Sequence, residues 1–523
     1  MPAVAAPDFQ IAFYGGAGTV TGSKHLLQAG RRRVLIDCGL FQGLKELRLM
    51  NWRPLPFEPS SLDAAVLTHT HIDHCGYFPR LGAAGYRNDV WCSPATRELA
   101  PVLLADAAKL QEEDAEYANR KGFSKHHPAL PLFTEADVRR VMGQFRKLDY
   151  GAEREVAEGV TLRLHDAGHV LGSAFAEVSA RAGGAELHVV FSGDVGRYGV
   201  PVHVDPQPLP ACDVLVIEST YGDRPHDRTP LDAQIRAPFR AALERGGTIL
   251  IPAFALARIQ VLTVVLREAM ASGAIPRVPV HIDSPMAVEI TAIYHRYAEA
   301  GALDPDVDGD GWRRLFPPDV HLHATVGESR QLNDLPGGRI ILSSSGMLTG
   351  GRVLHHLRRL LPDARNLIAL AGYQAPGTRG RALLEGAPTL RMHGADIPVR
   401  AQVMKIEGLS SHADGDDLLR CARRRRRRGR CTSRTASRNP RRPSPRASVR
   451  SLASRPTCRR SGTRPISRGP WRRAERNPPA GMRRRRSLTS RALRSRAVRV
   501  CSRDARLGAG AAQRRHWPRR SKR

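Results

Sequence analysis

Short apolar runs that end in polar residues punctuate the first two hundred positions. Val34-Leu35-Ile36, Ala65-Val66-Leu67, Leu162-Arg163-Leu164 and Leu187-His188-Val189-Val190-Phe191 predict strands. Helical spacing between them covers about 95–120 and about 135–148, the second opening behind Thr134 as N-cap. From about 206 to 400 the alternation is more regular. Val214–Ile217, Thr248–Ile251, Val280–Ile282, Ile340–Leu342 and Leu367–Leu370 predict strands, with helices at 258–271, 285–299 and 352–361 among them. That rhythm predicts βα units around a largely parallel sheet. Strand character returns over 397–412. After Arg423 periodicity stops, and the chain is mostly Arg, Ser, Pro, Ala, Gly and Thr.

The loop that leaves the apolar run Ala64-Ala65-Val66-Leu67 reads His69-Thr70-His71-Ile72-Asp73-His74-Cys75-Gly76. Neutral imidazole and carboxylate oxygen are the ligands that zinc-like ions accept, and catalytic sites keep a position open for water. His69 and His71 can converge on one ion while Asp73 and His74 turn toward a second, an arrangement suited to clamping a phosphate or carbonyl oxygen. A surface histidine cluster without function is the bland alternative, and clusters of this composition weigh against it. A structural zinc site normally uses paired CxxC cysteines, and the eight cysteines here are scattered.

Length and charge change the picture in two ways. At 523 residues the chain exceeds one typical domain. Its net charge of +32 suggests a nucleic-acid binder, but residues 423–523 hold 37 of the 82 Lys and Arg against only Glu475 and Asp504. The remainder therefore carries 45 basic against 48 acidic residues and is close to neutral. Scattered cysteines, no signal-like leader and no run of about 18 apolar residues suggest a soluble, cytoplasmic protein without a membrane partner.

Four more polar residues stand at expected strand ends: Asp37, His169, Asp194 and Glu218. Singly, each is as well explained as a cap or turn residue. Together with the histidine loop they form a pattern. Leu35–Gly43, the His69–Gly76 loop, Gly168-His169, Ser192-Gly193-Asp194, Ile217–Gly222, Ser345-Gly346-Met347 and Ser411-His412-Ala413-Asp414 occur in the order found in the β-CASP branch of metallo-β-lactamase-fold hydrolases, the RNA-processing nucleases. The chain resembles that family over residues 10–415.

The resemblance implies an α/β fold: a metallo-β-lactamase αββα sandwich over 1–205, an inserted β-CASP α/β domain over 206–400, a return over 401–422, and a disordered Arg-rich tail over 423–523. It implies two Zn2+, one held by His69, His71 and His169, the other by Asp73 and His74, with Asp194 between them. Asp37 would orient a ligand imidazole. A bridging hydroxide would attack the phosphodiester, and His412, oriented by Glu218, would protonate the leaving oxygen. Asp73, Glu218 and His412 are thus the expected catalytic residues. Ser344, Ser345 and Gly346 are candidates to cradle a phosphate and Arg258 to pair with another, with Arg352 and Arg379 weaker. The Gly15–Lys24 loop has Gly-Ser-Lys where a phosphate-binding loop needs Gly-Lys-Ser/Thr, so it is read as structural. The expected substrate is single-stranded RNA, cut endonucleolytically or from the 5′ end, although nothing in the sequence visibly distinguishes RNA from DNA. A homodimer is plausible.

One family feature is missing. The β-CASP pattern places a His-Gly-Glu segment roughly twenty residues beyond His412, yet no histidine lies between His412 and His516. The tail reads in two ways: as a phosphate-neutralising Arg-rich extension, or as a frameshifted translation of a GC-rich gene. Back-translating Cys431–Arg438 in the frame two nucleotides on permits His-Val-Thr-His-Gly-Glu-Pro, its second histidine beginning in the codon of Arg434. The frameshift explains more, and it implies weak binding of the second metal and a destabilised fold. Two rival functions are a small-molecule metallo-hydrolase of thioesterase type and an inactive RNA-binding relic.

Overall fold

The computed structural model describes residues 8–422, apart from 123, 125, 308–310, 336 and 376, together with the strand Arg499–Cys501. The first domain is a four-layer sandwich. One mixed sheet runs in the order Phe9–Gly15, Lys24–Ala29, Arg32–Ile36, Ala64–Val66, Val90–Cys92, Phe145–Lys147. The other runs Arg499–Cys501, Val214–Ile217, Ala185–Phe191, Ala174–Ala182, Val160–Asp166, Glu153–Ala157. Between the sheets pack Leu27, Val34, Ile36 and Val66 from one side against Leu162, Leu164, Val178 and Phe191 from the other. The opposite face of the first sheet is covered by Phe78–Ala83, Pro94–Lys121 and Glu135–Met142, and that of the second by Gly415–Ala422. This is the αββα layering expected from the sequence.

Local chemistry sets the helix ends. Thr134 caps the helix Glu135–Met142, as the sequence predicted, and Asp137 completes the box by accepting from the Thr134 amide. The helix stops at Met142 rather than near 148, because Gly143 and the short strand Phe145–Lys147 follow. Ser93 caps Pro94–Lys121, which ends on Gly122 in the left-handed region at φ 65°.

The inserted domain carries a parallel sheet in the order Val320–His323, Val280–Asp283, Arg339–Ser343, Thr248–Pro252, Leu367–Leu370, Gln402–Lys405, flanked by Arg258–Ala271 and Pro285–Glu299 on one side and Val353–Leu360 on the other. Two strands fall across the boundaries expected at 205 and 400. Val214–Ile217 pairs in parallel with Ala185–Phe191 and so belongs to the first domain. Gln402–Lys405 extends the inserted sheet beside Leu367–Leu370. A four-residue apolar strand has the same pattern in either sheet, so the rhythm alone misassigns it. The tail lies outside the described residues except Arg499–Cys501, which pairs antiparallel with Val214–Ile217 where no structure was expected. That strand's outer edge otherwise presents open backbone groups, and an extended Val-containing segment can satisfy them. Among the described residues, no helix is long and apolar enough to cross a membrane.

Candidate metal centre

Strand ends from both sheets deliver the side chains. Asp37 follows Arg32–Ile36, His69 follows Ala64–Val66, His169 and Asp194 lie beyond Val160–Asp166 and Ala185–Phe191, and Glu218 ends Val214–Ile217. His71, Asp73 and His74 come from a short turn of helix, Ile72–Cys75, with His71 as N-cap.

His69 Nε2 lies 3.0 Å from His71 Nδ1, and His169 Nε2 lies 3.2 Å from the same atom. Asp194 Oδ2 is 3.5 Å from His69 Nε2 and 3.7 Å from His169 Nε2. Ligands about 2.0–2.1 Å from a tetrahedral ion stand about 3.3 Å apart, so these four atoms fit such an ion. Their protonation suits it too. Burial, then the neighbouring imidazoles His69 and His412 respectively, hold His71 and His169 well below the usual histidine range. Burial and His74 lower His69 likewise. Neutral rings in a buried cluster are what a cation requires. The far side of His169 is fixed as well, its Nδ1–H donating to the Ser411 carbonyl at 3.1 Å.

A second group stands beside the first. His74 Nε2 is 3.4 Å from Asp194 Oδ1 and 3.9 Å from Asp73 Oδ2, so Asp194 faces both groups with its two oxygens. Burial opposes charge on His74, but Asp194, Asp37 and Asp73 outweigh it and raise its pKa well above the usual value. Three carboxylates around one imidazole make a site with surplus negative charge, as a divalent ion needs. Asp37 takes no place in this ring and instead accepts from His74 Nδ1–H at 2.7 Å, from the Thr68 amide at 2.8 Å and from the Thr68 hydroxyl at 2.9 Å. Nε2 is thereby the ring atom turned toward Asp194. Asp37 sits at φ 60°, in the left-handed region that Asp tolerates better than most residues.

His412 closes the cluster from beyond the insertion. Its Nδ1 is 3.2 Å from Glu218 Oε2 and 3.7 Å from Asp194 Oδ2, and its ring lies 4.6 Å from that of His169. Glu218 is anchored by the Val195 amide at 2.6 Å, and the His412 carbonyl accepts from His226 Nε2–H at 2.7 Å. A mostly buried imidazole paired with a buried carboxylate is placed to hand over a proton.

All nine expected centre residues therefore converge. The substrate candidates lie in the inserted domain and make their contacts there. Ser344, Ser345 and Gly346 follow Arg339–Ser343 in the inserted domain, where the Ser344 hydroxyl pairs with that of Ser284 at 2.9 Å and the Gly346 carbonyl accepts from Gln374 at 2.9 Å. Arg258 is half-buried and donates to the Ala371 carbonyl at 2.7 Å, and desolvation lowers its pKa to about 10. Arg352 is held by Asp283 and the His323 carbonyl, and Arg379 by the Leu348 and Arg391 carbonyls. Sequence reasoning passed over Thr68 and His226, which flank or face the motifs but carry no motif chemistry of their own, and gave Ser411 no role beyond membership of its motif.

Comparison with known proteins gives this centre a context. Residues 22–244 match the metallo-beta-lactamase superfamily, residues 259–383 the Beta-Casp domain, and residues 396–429 the Zn-dependent metallo-hydrolase RNA specificity domain. The chain is 38% identical over 410 residues to ribonuclease TTHA0252 of Thermus thermophilus, which covers 78% of this chain and 89% of that one. The chain belongs to the β-CASP family of metal-dependent RNA-processing nucleases. An RNase J-like protein of Methanocaldococcus jannaschii is 31% identical, with 78% of this chain and 88% of that protein covered. The transcription termination factor FttA of the same organism is 33% identical, and there the chain spans 64% of the relative's length. Membership of this β-CASP family implies a bound metal, which the imidazole and carboxylate cluster is built to accept.

Proposed function

We propose that this β-CASP protein hydrolyses phosphodiester bonds of single-stranded RNA with two zinc ions. The observation that carries the reading is the packing of three neutral imidazole nitrogens and one carboxylate oxygen at 3.0–3.7 Å, with His412 on Glu218 immediately beside them. His69, His71 and His169 would hold one ion, Asp73 and His74 the other, and Asp194 both, while Asp37 keeps His74 in its ligating tautomer. Bound ions would supply Lewis acidity, activating water and neutralising phosphate charge.

The chain's own groups do the rest. Ser344, Ser345 and Gly346 position a phosphate of the strand. His412 is the general acid: its Nδ1 pairs with Glu218, so Nε2 can deliver a proton to the departing ribose oxygen, and the Glu218 carboxylate stabilises the ring's positive charge before transfer. A cytoplasmic location and a homodimer complete the proposal.

The test is incubation of the zinc-loaded chain and its His69→Ala variant with 5′-labelled single-stranded RNA. Cleavage by the parent alone is expected, and mononucleotide or oligonucleotide products assign exonucleolytic or endonucleolytic action. Equal products from both proteins would refute it. The missing histidine favours a second reading, an RNA-binding relic, whose mark is tight, salt-sensitive RNA binding without cleavage, lost on truncation at Arg423.

A further inference from the structure

In a parallel α/β sheet the carboxyl ends of the strands form the natural ligand edge. Here that edge carries two large rings in water: Phe254 is 42% exposed and Tyr373 is 64% exposed. Pairing of Pro252 with Ser343 means that Phe254 and Ser345 leave the sheet side by side, each two residues past the last pair. Tyr373 follows the neighbouring strand Leu367–Leu370.

The local packing holds the Phe254 ring rather than letting it swing. A Cβ added to Gly346 would stand 3.4 Å from the Phe254 ring, so the ring lies flush on bare backbone beside the phosphate candidates. The Arg258 guanidinium sits 5.3 Å from the Phe254 ring centroid and is itself pinned to the Ala371 carbonyl. Gln374, next to Tyr373, donates to the Gly346 carbonyl at 2.9 Å. The edge also connects to the metal centre. The Tyr221 ring is 6.2 Å from His412, and Tyr221 lies close enough to Arg258 to act on its charge.

An exposed phenyl ring, braced by an arginine and adjoining hydroxyls and glycine backbone, is the composition that single-stranded nucleic-acid grooves use for bases. The ring offers a π face, and the cation strengthens the stack. We propose that Phe254 and Tyr373 form a base-stacking step for single-stranded RNA beside the Ser344–Gly346 segment, holding the strand through its bases while that segment holds its phosphates. This proposal rests on the reading that RNA is the substrate. Because every base has a π face, the step binds without sequence preference, and its signature is dependence on the presence of bases.

The full chain in a His412→Ala background, which slows cutting of the strand, is titrated with a fluorescent oligouridylate and with an abasic strand of equal length. Salt is raised to suppress binding by the basic tail. The parent is expected to prefer the uridylate. Phe254→Ala should weaken uridylate binding about five- to hundredfold with little change for the abasic strand. Tyr373→Ala should act in the same direction, and Phe254→Trp should restore affinity. Equal weakening of both strands, no weakening of either, or a change in oligomeric state without the base-dependent loss overturns the stacking step alone. A parent that binds neither strand overturns the RNA reading, and this inference with it.

Discussion

Replacing Asp37 by Asn isolates what this carboxylate does, because almost nothing else changes. The side chain is 1% exposed, the shapes match, and the left-handed backbone at φ 60° suits Asn as well as Asp. The amide oxygen can still accept from the Thr68 N–H. Its NH2 group then faces the Thr68 hydroxyl, which can turn to accept, and His74 Nδ1, which now must present a lone pair. His74 would therefore carry its proton on Nε2, the atom 3.4 Å from Asp194. A ring protonated there cannot ligate. Restoring the ligating tautomer sets two buried donors against each other, which costs about 1–3 kcal/mol. That is roughly five- to 150-fold in affinity, in line with the 10–100-fold typical for losing such a partner. Zinc binding by the parent and Asp37→Asn, measured by chelator competition, should show the weaker of two steps shifted by about 10–100-fold and the stronger one unmoved. If both steps shift equally, or neither does, Asp37 does not act through His74.

Three other outcomes follow from the same structure. Lys24 is 3% exposed, caged by Phe41 and Tyr77 with its Nζ 4.7 Å from each ring centroid, and burial lowers its pKa from 10.5 to about 8. Between these values the unfolded chain holds the extra proton, so this group makes stability rise with pH across that window, by about 3 kcal/mol in total. Urea unfolding at pH 7.5 and 10 should show the rise in the parent and its absence in Lys24→Met. His412→Ala should lower kcat by about 10²–10⁴-fold with KM little changed, and a rise in KM alone would remove it from proton transfer. A frame-restored chain should hold two zinc ions tightly where the 523-residue chain holds one, as read by metal analysis after dialysis. Two tight ions in the latter would show that no ligand is missing.

The metal loop was legible because its ligands are local: four ligands within six positions after an apolar strand carry most of the chemistry. Asp37, His169, Asp194, Glu218 and His412 were legible only as a set, since each alone reads as a cap or turn. What the sequence concealed is what three dimensions decide. A guanidinium pinned by a carbonyl, as in Arg258, looks the same in a sequence as one reaching into solvent. Val214–Ile217 and Leu367–Leu370 share a pattern yet lie in different sheets. Lys24 reads as an exposed residue and is buried, because its partners Phe41 and Tyr77 arrive from two later segments.

The bond from His169 to the Ser411 carbonyl spans 242 positions of chain. A ribosome adding about 5–20 residues per second leaves roughly ten to fifty seconds between the two ends emerging. Closing so large a loop is favourable only once the intervening domain has folded and shortened it. Until then the proton donor and the carbonyl that fixes a metal-binding ring are both elsewhere. A nuclease assembled this way lacks its proton donor until residues 411 and 412 have emerged and the inserted domain has folded between them and the metal loop.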